Sequence, residues 1–503
     1  MLEVCKILFT QWNDNQIKYC HWKSNEHLEE GLDGETDLDV YVAPEDNSEA
    51  ERLLSQCGYI KCRVQKGHRY PNVVEWIGFD KSLGRLVHVH LHYQIITGTK
   101  YCKEYIFPID NLIISTRIID SKTGVYITNP DLELILLFSR ISLKANNCNK
   151  IQPSEEDEKE ILFLKERYTQ EGLKKNCELL IKEKGEVLFE LIIRDNRDYK
   201  DWKTIYQIVS KWLTPFRRES KGSVFLKHSY FYWREMFIIA LDKFFKIKIV
   251  NQKTFPSKAL SICFLGQDGS GKSTVTVDLC KWLNWKIEAK RFYLGSGDHY
   301  NGIFKRFISL GSRISHRNDT KDKGIANNTV LNSTKVSKRP KNLKNLISSF
   351  IICYYYLSLA RRAYKVTKSA RRYMDKGGIA LFDRFPQNQF QSISDGPRIE
   401  AYYSENGLNF RINRFLANKE QNYFELIQLN QPSLVFKLML PPEESIRRKP
   451  FEDYENVKQK HEVIKALSFP HSETHIIDAT IDYQQELIII KNIIWEKILH
   501  SQE

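Results

Sequence analysis

Short apolar runs bounded by turn residues alternate with longer stretches of helical spacing, and the mix divides the chain into three zones. Residues 1–125 combine brief strand-like runs, such as 38–42 and 86–92, with turns. Residues 126–253 read as helical: 131–141 is rich in Leu and Ile, and 155–183 sets apolar residues at helical spacing among dense Glu and Lys. Residues 254–258, with Pro256, read as a linker. From 259 to 503 strand-like and helix-like segments alternate, the pattern of an α/β domain with a parallel sheet. There, 260–265 is almost wholly apolar, as a strand buried on both faces requires. A helix is expected from Thr274 to 283, with Val275, Leu279 and Leu283 on one face. Further strands are expected at 292–294, 379–382, 434–440 and 475–477, and a long helix over 347–376 closed by Gly377. Residues 301–345 break the pattern. Rich in Lys, Arg, Asn and Ser, they bury too little apolar surface to offset the entropy of ordering. A mobile loop, or a basic flap over an anionic ligand, is the expectation there.

Length and charge narrow this picture. At 503 residues, two or three domains are expected. A net charge of +14 suits anionic partners. The ten cysteines form no C-x-x-C pair, which argues against a zinc ribbon and fits a reducing compartment. The first residues lack the features of a secretion signal, and the longest apolar stretch, near 347–359, is shorter than a bilayer span. A cytoplasmic location without a membrane span is therefore expected.

The strongest chemical signal is the run Gly266-Gln267-Asp268-Gly269-Ser270-Gly271-Lys272-Ser273, which fits G-x-x-x-x-G-K-[ST]. Glycines let the backbone turn tightly and bring its N–H groups against phosphate oxygens. The following helix, opening near Thr274, adds partial positive charge at its N-terminus. Lys272 is placed to reach the β- and γ-phosphates of ATP, and Ser273 to put its hydroxyl on Mg²⁺.

Three further features select among P-loop proteins: Asp268 inside the loop, Asp383-Arg384-Phe385 after a strand, and His475-Ile476-Ile477-Asp478-Ala479-Thr480 near the end. Together they resemble the thymidylate kinase family over about residues 259–500. The resemblance implies that Arg384, paired in sequence with Asp383, contacts phosphates between donor and acceptor. It implies that Asp268 binds the acceptor's sugar hydroxyl, and that Asp478, Ala479 and Thr480 lie beside the donor adenine. It also implies an arginine-rich lid, for which Arg447, Arg448 and Lys449 are the candidates. Pro441-Pro442-Glu443-Glu444 before them suits a helix start. Where the family reads thymine, this chain has Gly295-Ser296-Gly297-Asp298-His299-Tyr300, so the base-reading residues do not match one for one. Phe385-Pro386-Gln387 and Asp395-Gly396-Pro397 are similar to a divergent branch of the family.

In the first zone, Asp37 and Asp39 form Asp-x-Asp at a strand start and fall on one face. Paired carboxylates repel unless a cation lies between them. This resembles the nucleotidyltransferase fold, which implies Mg²⁺ on the aspartate pair and a third acid on a later strand. The expected strand, 87–93, offers His88, His90 and His92 instead, so either His90 replaces the acid or the metal site is incomplete. Histidine favours softer metals than Mg²⁺.

The fold class expected is thus α/β: an N-terminal α+β nucleotidyltransferase-like domain (1–125), a helical region (126–253) and a P-loop kinase domain with a parallel sheet (259–503). The leading expectation is ATP- and Mg²⁺-dependent phosphoryl transfer to a nucleoside monophosphate such as dTMP, in which the family resemblance admits a dimer. The alternatives are a regulatory ATP-binding protein and a nucleic-acid-binding ATPase.

Overall fold

Alternation of apolar and polar residues builds the first sheet. The computed structural model describes residues 1–65, 69–144, 152–245, 252–256, 260–294, 343–402 and 408–501. Among them, β1 (Tyr19–His21), β2 (Asp37–Val42), β3 (Ile60–Lys61), β4 (Val73–Asp80), β5 (Arg85–His92), β8 (Ile118–Ile119) and β9 (Tyr126–Ile127) form one mixed sheet in the order β3-β4-β5-β2-β1-β9-β8. β6 (Ile96–Thr97) and β7 (Tyr105–Ile106) pair separately. Leu38, Val40, Val87, Val89 and Leu91 pack with Leu8, Phe9 and Trp12 of the helix Glu3–Asp14 in one core. The opposite face of β2 and β5 is therefore left to Asp37, Asp39, His88, His90 and His92. β2 and β5 run parallel with Asp37 opposite His88 and Asp39 opposite His90.

The helices Pro130–Lys144, Glu155–Lys165, Gln170–Ile181, Gly185–Ile193 and Tyr199–Leu213 fill the middle of the chain. Every residue from Asp131 to Leu143 is buried, which explains why that segment shows Leu and Ile on all sides. Their core also takes Cys20, Trp22, Tyr41 and Phe107 from the strand-rich zone. The helix Lys221–Phe245 is different: Phe225, Leu226, Tyr230, Trp233 and Phe237 are exposed. The expected linker needs correction at its start. Thr254 exchanges backbone hydrogen bonds with Arg63 and Phe255 is buried, so the chain is still anchored there; residues 257–259 lie outside the described residues.

By contact, the chain falls into two units, Met1–Ser257 with Ile490–Glu503, and Lys258–Ile489. In the second, β10 (Ser261–Leu265), β11 (Ala289–Tyr293), β12 (Ile379–Asp383), β13 (Leu434–Met439) and β14 (Glu473–Asp478) form an all-parallel sheet in the order β11-β12-β10-β13-β14. β10 and β12 are wholly buried, and Phe264 stacks on Phe436 with ring centroids 5.2 Å apart. Burying each such ring contributes about 1.5–3 kcal/mol. The chain leaves β10 towards one side of the sheet and later crosses to the other. Ligands of such sheets bind beyond the strand C-termini at this switch point, where the glycine-rich loop lies. The long helix spans Leu343–Met374, starting earlier than expected, with Gly377 after it at φ 91°. Of the basic segment 301–345, residues 301–342 lie outside the described residues. No helix among the described residues is long and apolar enough to cross a membrane.

Candidate active site

β10 runs directly into the glycine-rich loop, and the helix Lys272–Asn284 begins at the lysine, two residues before the expected Thr274. Gly269 and Gly271 hold φ of 86° and 84°, a region where side chains are strained. Gly266 is needed for space: a Cβ there would crowd Ser270 and lie 2.8 Å from the Leu438 carbonyl oxygen. Gly266→Ala is expected to destabilise the unit by about 1–3 kcal/mol through this overpacking. It is also expected to weaken ATP binding by displacing the loop. Thermal melts and nucleotide titration check both effects; an unchanged melt would mean the loop gives way freely.

Lys272 is buried at the helix start. Its ammonium donates to the Gln267 carbonyl oxygen at 2.7 Å and to Ser270 Oγ at 3.4 Å. Burial, then the nearby Arg384, pull its pKa from 10.5 down to about 8. Ser273 donates its hydroxyl to Asp383 Oδ2 at 2.8 Å. The same oxygen takes an ion pair from Arg291 of β11 at 2.6 Å. Asp383 is fully buried at the end of β12, and its Oδ1 finds no hydrogen-bond partner among the described residues. A buried, unpartnered carboxylate oxygen beside the loop hydroxyl fits the surroundings of a Mg²⁺ ion.

Arg384 follows with φ 72°, outside the usual range for a long side chain. The turn sends its guanidinium to Asp268 Oδ1 at 3.1 Å and Asp395 Oδ2 at 3.7 Å. The other Asp268 oxygen pairs with Lys460 at 2.7 Å. Burial alone would raise the Asp268 carboxyl, but Lys460 and Arg384 outweigh it and hold it well below the usual carboxylate range. Lys272, Ser273, Asp383, Arg384 and Asp268 are thus gathered at one end of the sheet. Asp395 also lines a cavity with Tyr293, Tyr356, Arg362, Arg398 and Phe424.

Of the basic residues expected as a lid, Arg448 reaches the loop. Arg448 donates to the Ala479 carbonyl oxygen at 3.1 Å and the Gly269 carbonyl oxygen at 3.4 Å, tying the loop to the 478–480 turn. Asp478 Oδ1 closes that turn, accepting from Thr480 N–H at 2.8 Å and Thr480 Oγ at 2.7 Å. Arg447 does not join them: it is exposed and pairs with Glu444 at 2.7 Å. The reason is geometric, because consecutive residues of the helix Pro442–Arg448 point about 100° apart. Lys449 is the residue that caps this helix. Residues 295–300, expected near the acceptor, lie outside the described residues.

Sequence reasoning did not find Arg291 or Lys460. Two cations, Lys290 and Arg291, within a five-residue parallel strand were the available sign, since such strands are ordinarily apolar, and nothing in the sequence chooses between them. Nothing separates Lys460 from Lys458 before the helix Tyr454–Ala466 is docked.

In the first unit, Asp37 and Asp39 share a face as expected. Asp37 Oδ1 lies 2.8 Å from His88 Nδ1, whereas Asp39 meets Lys23, His90 and His92. An acid does stand beside these imidazoles, but it comes from β4 and not from residues 87–93. Glu75 of β4 lies opposite His90 in the register, with Oε2 3.2 Å from His88 Nε2 and 3.8 Å from His90 Nε2.

No family model matches the chain. The ATP-binding protein YghR of Escherichia coli K12, described as uncharacterized, is 29% identical over 229 residues, 45% of this chain and 83% of YghR. YghS of the same strain, likewise described as an uncharacterized ATP-binding protein, is 25% identical over 213 residues, 41% of this chain and 81% of YghS. Two solved structures of deoxyadenosine kinase from M. mycoides align at 16% and 14% identity. One has bound dATP and the other has dCMP and dCDP. Each covers 47% of this chain, with 98% and 100% of the kinase chains covered and TM-scores of 0.26 and 0.27.

Proposed function

We propose that the unit carrying the glycine-rich loop transfers the γ-phosphoryl group of ATP to a nucleoside monophosphate, with dTMP the first acceptor to test. The observation behind this reading is the convergence on one loop of a lysine (Lys272), a hydroxyl–carboxylate pair (Ser273–Asp383) and an arginine from the next strand (Arg384). A protein that only held ATP would have no use for an arginine on the far side of the loop. The names of YghR and YghS as ATP-binding proteins agree with the nucleotide half of the proposal.

The chemistry follows from charge. The bond from the γ-phosphorus to the bridging oxygen breaks as the acceptor's phosphate oxygen attacks in line, and negative charge spreads over the outer oxygens. Lys272 exchanges its contact with the Gln267 carbonyl for the β- and γ-phosphates. Ser273 and Asp383 are the residues that would hold Mg²⁺, which when bound supplies charge neutralisation at those phosphates. Arg384 faces the incoming phosphate, oriented by Asp268. The sugar hydroxyl that Asp268 was expected to bind would have to replace Lys460 or Arg384 there. Arg448 holds the loop against the adenine-side turn. The cavity beside Asp395, with its tyrosines and arginines, is the place for the acceptor's base and phosphate.

A panel of deoxy- and ribonucleoside monophosphates with ATP and Mg²⁺ tests the proposal. ADP release that depends on one acceptor is the expected result. ADP release indifferent to every acceptor would refute it.

A further inference from the structure

A magnesium ion between Asp37 and Asp39, as the nucleotidyltransferase resemblance implies, does not fit the residues present. Asp37 is engaged by His88, and Asp39 by Lys23, His90 and His92. Magnesium requires a near-octahedral shell of oxygens, whereas three imidazoles alternate along β5, and the acid beside them, Glu75, is held by His88 and Lys253 at 3.2 and 2.8 Å. We propose that Asp39, His90 and His92 instead bind one divalent transition-metal ion of the class that takes mixed imidazole and carboxylate ligands.

The placement follows from the sheet. Parallel pairing sets Asp39 opposite His90, and a period of two returns His92 to the same face. Asp39 Oδ1 lies 3.2 Å from His90 Nδ1 and 3.0 Å from His92 Nε2, and all three donor atoms lie within 4.8 Å of one another. An ion about 2.1 Å from each donor separates neighbouring donors by about 3.0 Å at right angles and about 3.4 Å at the tetrahedral angle. Both spacings to Asp39 Oδ1 fall within that interval, so the carboxylate already stands at ligand distance from each ring. Two imidazoles and one carboxylate on one face select a transition metal over magnesium or calcium.

The surroundings are those of a held metal site. Lys23 fixes the second oxygen of Asp39 at 3.0 Å. His90 Nε2 faces Asp37 Oδ2 at 3.9 Å and Glu75 Oε2 at 3.8 Å, so carboxylates stand near the N–H that this ring carries once Nδ1 binds the ion. The His92 ring packs edge-on against Trp22, with centroids 5.4 Å apart. All three ligands line a cleft of about 380 Å³ whose walls carry both signs of charge: Arg140 pairs there with Glu160 and Lys144 with Asp157, beside Lys103 and Glu156. The remaining coordination positions open onto this polar cleft, where water completes the shell. The neighbouring group of Asp37, His88 and His90 is less suited, because His88 is fully buried between Asp37 and Glu75 with both ring nitrogens engaged.

Cobalt is the probe. The metal-stripped full chain is equilibrated with Co²⁺, freed of excess ion and assayed. One Co²⁺ per chain is expected, with visible d–d bands and without the strong near-ultraviolet absorption that cysteine thiolates give. His90→Ala and His92→Ala are each expected to lower affinity at least about 10-fold, while Lys272→Ala keeps it, which separates this site from the ATP loop. No retained Co²⁺, or affinity unchanged in both histidine variants, overturns the proposal. If a variant fails to fold, Cu²⁺ resonance on the unaltered chain decides: hyperfine splitting from two nitrogens supports the site, and its absence overturns it.

Discussion

On the proposed function, Lys272→Ala is expected to lower kcat/KM for acceptor-dependent ADP release by at least about 1,000-fold, a loss of about 4 kcal/mol of transition-state stabilisation. The ammonium is buried, so in ATP's presence it acts in a medium where charge is poorly screened. Without nucleotide it satisfies itself on the Gln267 carbonyl and Ser270, contacts that a phosphate oxygen can replace. The fold should survive the change, because the lysine's burial already costs stability. That cost has a pH signature. Burial, followed by Arg384, lowers the folded pKa to about 8 from 10.5, so the unfolded chain binds more protons between those values. Stability therefore rises as pH increases from about 8 to 10.5, and this component disappears in the variant. Steady-state kinetics and melts across that range check the two claims separately. Residual turnover near the unaltered level would remove Lys272 from the site.

Arg384→Ala separates acceptor chemistry from ATP binding. The expected loss is about 100- to 1,000-fold in kcat, with ATP affinity changed less than about threefold, because the proposed role of the guanidinium is on the acceptor side. Asp268 keeps its pairing with Lys460 at 2.7 Å, so the loop does not lose its only counter-charge. Backbone strain offers an internal control. At φ 72°, Arg384→Gly should melt higher than Arg384→Ala by about 1 kcal/mol, yet recover no activity. Equal losses in ATP affinity and turnover would instead place Arg384 in nucleotide binding.

How much of this could be read beforehand depends on the range of the interaction. The loop was legible because its residue types serve their own backbone: glycines at positive φ, then a lysine and a serine opening a helix. The strands of the second unit were legible for a similar reason, since burial on both faces leaves runs without polar residues, as in β10 and β12. The start of the long helix was missed because Leu343-Lys344-Asn345 continues the Lys- and Asn-rich composition of the segment before it.

What sequence could not decide were partners brought together by register and docking. Glu75 and His90 are 15 positions apart and meet only because β4 and β5 pair antiparallel. Lys460 reaches Asp268 across 192 positions. Arg447 and Arg448 look equivalent in the chain, and only helix phase sends one to the loop and the other to solvent. The chain by itself determined the phosphate-binding turn, the buried strands and the acidic and imidazole face of the first sheet, since each is written in local residue type and period. Tertiary structure alone decided which charges face one another, because Coulomb and hydrogen-bond energies depend on distances of a few ångströms that no sequence spacing encodes.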